Sequence, residues 1–311
     1  MFTARNKGRL ALGAVVVGAA LALSGCASGD PLDSGTGSGT NSAAKTITIG
    51  SQAYYSNEIV AEIYAQALEN GGIKVVRDFN IGQRDTYLPA LEQDRSKSGS
   101  VDLFPEYTGN LLQFYAPKTT VTSSSDVYAA LKTALPKGLE VLDQSPASDQ
   151  DSYNVTAEFA KANNLKTIAD LAKVTTPLTL GGNAELAERP YGPKGLKSKY
   201  GVTAAFTATG DTTVDDLLAG TVNIANVYSA DPRIQTDKLV TLADPDGLFL
   251  ASNVVPLVRT DVAGEVSKII NAVSAKLTAA GLIALNVSST VDQKSPGDIA
   301  KGWLRANGLV K

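Results

Sequence analysis

Two tyrosines in this 311-residue chain share one local setting. In Gly99-Ser-Val-Asp-Leu-Phe-Pro-Glu-Tyr107 and in Gly220-Thr-Val-Asn-Ile-Ala-Asn-Val-Tyr228, the ring falls eight positions after a glycine. Each stretch reads as a helix stop and then a short β-rich run, 101–104 closed by Pro105 in the first and 222–228 in the second. Ligands of open α/β sheets bind outside the carboxyl ends of strands. The pair therefore predicts two lobes, each offering one tyrosine to a shared cleft. Tyr54, Tyr55, Tyr153 and Tyr191 also sit at expected strand ends or loops. Singly, any of them also reads as a half-buried packing residue with a wet hydroxyl. As a set, ring faces across a cleft suit a quaternary ammonium. Such a cation donates no hydrogen bond and is held by cation–π attraction, worth roughly 0.5–2 kcal/mol per contact.

The chemistry open to the rest of the chain is narrow. There is no histidine, and Cys26 is the only cysteine. Metal centres built on His or Cys, and Ser-His-Asp or Cys-His nucleophiles, are excluded. No glycine loop of the phosphate-binding type occurs. Glu106 stands beside Tyr107, and its ordinary reading is a carboxylate satisfied by backbone N–H groups or by a basic residue of the other lobe. A net charge of -3 and a pI near 5.2 leave no basic footprint for nucleic acid. Paired carboxylates stay open, because Asp and Glu are plentiful; the expectation is nonetheless a binding protein and not an enzyme, with no metal and no cofactor.

The elements that must position the tyrosines can be read in order. Arg5, Lys7 and Arg9 precede an apolar run at 10–23, which is too short to span a bilayer and fits a secretory signal. It ends in Leu23-Ser24-Gly25-Cys26, which resembles the lipobox of bacterial lipoproteins and predicts a signal peptide at 1–25 with Cys26 lipidated. Residues 26–45, rich in Ser, Gly and Thr, read as a flexible tether. From 46 onward, strand, helix, strand, helix and strand alternate, the pattern of a parallel sheet covered by helices. Residues 145–151 have no periodicity and read as a crossover into a second lobe, which opens on a strand at 153–156. In that lobe 178–182 reads as a strand, 185–200 as irregular and 214–219 as a helix. Residues 248–253 read as the return crossover and 254–258 as a strand rejoining the first lobe. Val262, Val266, Ile269, Ile270, Val273 and Leu277 make 262–277 the clearest amphipathic helix, and 299–306 reads as a terminal helix. The expected lobes are 46–147 with 253–311, and 148–252, around a hinged cleft.

Gly50-Ser51-Gln52, Pro105-Glu-Tyr-Thr-Gly109, Tyr228-Ser-Ala-Asp231, Asp244-Pro-Asp-Gly-Leu-Phe249 and Asn253-Val-Val-Pro256 resemble the binding proteins of ABC transporters for glycine betaine, choline and related osmoprotectants. The resemblance runs through nearly all of 46–309. It implies an α/β, two-lobed periplasmic-binding-protein fold of type II with two crossovers. It also implies delivery of a small-molecule ligand to a membrane permease, from a monomer lipid-anchored on the extracytoplasmic face of the cell membrane. A box of four tyrosines surrounds the ammonium in that family. The resemblance places Tyr107, Tyr153 and Tyr228 on three of those positions and Ser252 on the fourth. Asn110 stands where the family has threonine, Gln52 where some members have lysine, and Arg189 near an arginine that some members aim at a ligand carboxylate. With one wall missing, the resemblance leaves open choline, a bulkier betaine or a ligand of another class. An extracytoplasmic enzyme or a structural surface lipoprotein are the remote alternatives.

Overall fold

The computed structural model describes residues 46–310. The expected signal segment at 1–25, Cys26 and the tether through 45 lie outside the described residues. Two five-stranded mixed sheets carry the fold.

The first sheet opens with β1 (Ile47–Gln52), whose Ile47 and Ile49 are fully buried. Helix α1 (Tyr55–Asn70) follows and leads through Gly71-Gly72 to β2 (Val75–Gly82), which lies parallel to β1. Helix α2 (Arg84–Glu92) then delivers β3 (Leu103–Tyr107), also parallel to β1. Helices α3 (Thr108–Tyr115) and α4 (Ser124–Ala134) precede β4 (Leu139–Val141).

The second sheet is built from β5 (Asp151–Val155), β6 (Thr179–Gly182), β7 (Ala205–Ala208), β8 (Ile224–Tyr228) and β9 (Val240–Thr241). Its helices are α5 (Ala157–Asn163), α6 (Pro193–Tyr200), α7 (Thr213–Leu218) and α8 (Arg233–Thr236). The chain returns as β10 (Val254–Arg259) in the first sheet and ends in α9 (Thr260–Lys276), α10 (Ala279–Thr290) and α11 (Pro296–Ala306).

Strand orders are β2-β1-β3-β10-β4 and β7-β6-β8-β5-β9. Each sheet thus has three parallel strands and then one that runs against its neighbours. That strand is the one on which the chain arrives from the other sheet, β10 or β5. Ser148 and Asn253 pair as an antiparallel bridge between the two crossover runs. Asp149 N donates to the Ser252 carbonyl at 3.0 Å, and Val254 N to that of Ala147 at 3.0 Å.

One face of the first sheet is covered by α1, α9, α10 and α11 through Ile59, Ile63, Val266, Ile270, Leu282 and Leu304, all fully buried. Burial of each such side chain contributes about 1.5–3 kcal/mol. Of the expected stripe on α9, only Ile269 is partly exposed. The opposite face packs Leu88, Leu111, Val127 and Leu131.

Three local expectations are corrected. Pro105 does not end its strand, since β3 runs on to Tyr107 with Pro105 opposite Pro256. The Pro256 carbonyl accepts from Leu142 N at 2.9 Å, away from β3, and the Pro105 carbonyl accepts from Asn57 Nδ2 at 2.8 Å, away from β10. The two prolines thus face each other as a non-hydrogen-bonded pair, where neither needs an N–H. Residues 185–200 are not irregular, because a 3₁₀ turn at Ala184–Glu188 leads to α6 with Pro193 in its first turn. Strand β7 and helix α10 were not expected.

Gly192 and Gly195 let this segment fold. A Cβ on Gly192 would lie 1.9 Å from the Leu186 carbonyl oxygen, and one on Gly195 would lie 1.7 Å from that of Pro190. Both obstacles are backbone. Gly195→Ala is expected to destabilise the protein by roughly 1–3 kcal/mol through overpacking, measured as a lower urea midpoint; an unchanged midpoint would contradict this packing.

Candidate ligand-binding site

Three tyrosines stand where parallel strands end. Tyr54 follows β1 and is the N-cap of α1, Tyr107 closes β3 and is the N-cap of α3, and Tyr228 closes β8. A fourth, Tyr191, precedes α6 and is held by the 3₁₀ turn and glycines just described. These four rings line one cavity. Gln52, Gln83, Arg84, Asn110, Asp149 and Glu185 complete its wall. The Tyr54 and Tyr228 ring centroids are 5.2 Å apart. These two rings also line the wider opening outside the cavity, so they form the partition between the two. Burial pushes the phenols of Tyr54, Tyr107, Tyr191 and Tyr228 well above their ordinary value. The rings therefore stay neutral and present full π faces to a cation.

The floor on the first-sheet side is a buried polar network. Arg84 Nε and Nη2 grip Glu106 in a bidentate pair at 2.8 and 2.9 Å. Tyr87 donates to the same carboxylate, Tyr107 N donates to it at 2.8 Å, and Gln52 Nε2 donates to the Tyr87 hydroxyl at 3.2 Å. Burial opposes the Arg84 charge, but the adjoining Glu106 carboxylate outweighs this and holds the guanidinium above its ordinary value. Glu106 is thus satisfied, as its ordinary reading expected, although its cation belongs to α2 and not to the other sheet. Asn57 Nδ2 reaches the Tyr107 hydroxyl at 3.5 Å.

Across the cleft, Asn110 Nδ2 donates to Asp151 Oδ2 at 2.7 Å and to the Tyr191 hydroxyl at 3.1 Å. Asp151 Oδ1 accepts from Asn226 Nδ2 at 2.7 Å. Asn110 therefore ties α3 to β5 and to the fourth ring. Asp149, in the first crossover, accepts from the Tyr54 hydroxyl at 3.3 Å and from Ala230 N at 2.9 Å.

Of the residues singled out from the sequence, Tyr107, Tyr228, Gln52 and Asn110 are brought together on the cavity wall. Tyr153, Ser252 and Arg189 are not. Tyr153 is fully buried behind the wall, packed edge-on against Phe249, with its hydroxyl donating to the Tyr191 carbonyl. It supports the Tyr191 backbone without lining the cavity. Ser252 is 1% exposed, and its hydroxyl accepts from the N–H groups of Gly109 and Asn110 at 3.2 and 3.3 Å and donates to Asn110 Oδ1 at 2.5 Å. The position caps α3, whose first N–H groups need an acceptor, and leaves no wall to build there. Arg189 follows the 3₁₀ turn and is not on the cavity wall, although its charge reaches the Tyr191 phenol; Arg84 is the arginine that lines the cavity. Arg84 was missed, while Tyr54 and Tyr191 were named among the strand-end and loop tyrosines but not assigned to the box. Tyr54 carried a usable signal, because it follows the Gly50-Ser-Gln strand end as Tyr107 follows its own.

Ser252→Ala should cost about 1 kcal/mol, the scale of a lost helix cap, and should weaken ligand binding by releasing Asn110. Urea denaturation together with titration checks both, and a variant unchanged in both would contradict the capping role.

Residues 45–306 match the family described as the substrate-binding domain of ABC-type glycine betaine transport systems. The glycine betaine-binding protein YehZ of Escherichia coli is 26% identical over 288 residues, covering 86% of this chain and 93% of that protein. The carnitine transport binding protein OpuCC of Listeria monocytogenes is 25% identical over 284 residues, covering 87% and 89%. A crystal structure of a glycine betaine/carnitine/choline ABC transporter protein superposes with a TM-score of 0.68 at 21% identity, over 85% of this chain and 98% of that one, and shares the fold. The chain belongs to the family of substrate-binding domains of ABC-type glycine betaine transport systems.

Proposed function

We propose that this protein is the extracytoplasmic solute-binding component of an ABC importer and captures a quaternary ammonium solute in the cavity between its sheets. The observation that carries this reading is the set of four neutral tyrosine rings, Tyr54, Tyr107, Tyr191 and Tyr228, around one cavity. Each ring contributes roughly 0.5–2 kcal/mol to a desolvated cation. Tyr54 and Tyr191 supply the walls that Tyr153 and Ser252 do not, which favours an ammonium head over another ligand class. The YehZ and OpuCC relatives, named for glycine betaine and carnitine, support the same class.

In this reading the residues divide the work by chemistry. The rings hold the ammonium and exclude water. Gln52, Gln83 and Asn110 offer polar groups to the ligand's tail, and Arg84 with Glu106 fixes the floor. The lobes are 46–147 with 253–311, and 148–252. The crossovers form the hinge on which they open, and closure presents the surface that a permease recognises. Cys26 carries the lipid that holds this monomer at the membrane, with 26–45 as tether. No step of the cycle requires catalysis, a metal or a cofactor.

Calorimetric titration with choline, glycine betaine and carnitine tests the class directly. At least one should bind, and failure of all three in folded, ligand-free protein would overturn the reading. Tyr191→Ala and Tyr54→Ala should each weaken binding about 3- to 30-fold, the range of one cation–π contact. Tyr153→Phe keeps its ring and should cost less than either. A Tyr153→Phe loss larger than both would return Tyr153 to the cage.

A further inference from the structure

Asp149 is an unusual residue to find in an aromatic cage. It is 2% exposed and lines the cavity, yet among the described residues its carboxyl meets only the Tyr54 hydroxyl and the Ala230 N–H. Buried carboxylates are normally paired with a cation or with a metal. The charged and titratable groups around it offer none. Tyr54 and Tyr55 face it from the start of α1, Tyr107 from β3, Tyr228 from β8, Asp151 from β5 and Asp231 from beyond β8. Two of these are further acids. Arg84 lines the same cavity, but Glu106 already compensates it. Glu185, also on the wall, adds a third acid nearby. Asp149 is thus the fully buried acid of the wall that no cation compensates, whereas Glu185 is only partly buried.

Resting on the proposed function, we infer that the Asp149 carboxylate is the counter-charge for the ligand's ammonium. The cleft then favours a ligand of net positive charge, of the choline type, over a zwitterion, whose own carboxylate would meet Asp149 and Glu185. Binding converts the Asp149 carboxylic acid to carboxylate, and the proton leaves to solvent. In the ligand-free protein, burial pushes the Asp149 carboxyl up to about 7, with Asp151 and Asp231 adding to the effect against the bonds from Ala230 and Tyr54. The sign follows from this. Below the unfolded value near 4, the acid is protonated whether the chain is folded or not. As pH rises from about 4 toward about 7, the ligand-free fold loses stability because the unfolded chain gives up this proton first; the loss is complete above about 7, and a cation in the cage restores it.

Titration of the full-length chain with choline, in two buffers of different ionisation enthalpy, measures affinity and proton release together. Choline should bind about tenfold more tightly at pH 8 than at pH 6, with close to one proton released at pH 6 and few at pH 8. Asp149→Asn should remove the pH dependence and weaken choline binding at pH 8 by about tenfold or more. The ligand-free variant should melt above the wild type at pH 8 and level with it at pH 4, a shift that a merely structural role would not produce. Choline binding by the wild type without pH dependence and proton release would overturn the inference. Glycine betaine binding as tightly as choline at pH 8 would overturn the charge preference. If neither probe binds at either pH this inference fails, and the proposed function fails with it only if carnitine does not bind either.

Discussion

The pairing of the two crossover runs is the constraint on which the rest depends. The Ser148–Asn253 bridge, with Asp149 N on the Ser252 carbonyl and Val254 N on that of Ala147, satisfies backbone that would otherwise be buried without partners between the sheets. Because these residues are committed to each other, their side chains have fixed directions. Ser252 caps α3, Asn253 reaches Ser145 and Ser124, and Asp149 is turned toward Tyr54. The hinge therefore contributes directly to the cavity wall. Asp149, the proposed counter-charge, lies on a crossover run, so the proposal would couple ligand charge to lobe movement without any relay.

Rigidity comes from the opposite side. A buried ion pair is a weak source of stability, because desolvating both ions offsets most of their attraction. The Arg84–Glu106 pair is better understood as a positioning device. Its carboxylate also accepts from Tyr87 and from the Tyr107 backbone, so one buried anion fixes α2, β3 and the first ring of the cage together. Removing either charge alone would leave the other buried and unpaired, the costly outcome. In the same spirit Asn110 holds α3 to Asp151 and Tyr191 at once. Two polar groups thus hold two rings, one on each side of the cleft.

How much of this was legible depended on range. The alternation of strand and helix, the two crossovers and the strand-end tyrosines 107 and 228 are written in local punctuation, and the structure has them. The opposed Pro105 and Pro256 were not legible, because each proline reads as a strand breaker until the partner strand is seen. Tyr191 was named among the candidate tyrosines, but its seat on the wall was hidden for a similar reason. Its position depends on the close approach of Gly192 and Gly195 to carbonyls of Leu186 and Pro190, which no periodicity reveals. Tyr153 was assigned to the cage from the family resemblance, and Ser252 to the place where its fourth tyrosine is missing. The tertiary contacts instead turn one onto Phe249 and the other onto the α3 terminus.

A crystal structure of the protein with choline or glycine betaine bound addresses the central claim most directly. The account predicts the ammonium nitrogen within about 6 Å of the ring centroids of Tyr54, Tyr107, Tyr191 and Tyr228, with the Asp149 carboxylate facing it and Tyr153 still behind the wall. An ammonium seated away from these rings, or held by Tyr153 and Ser252 in their place, would contradict it.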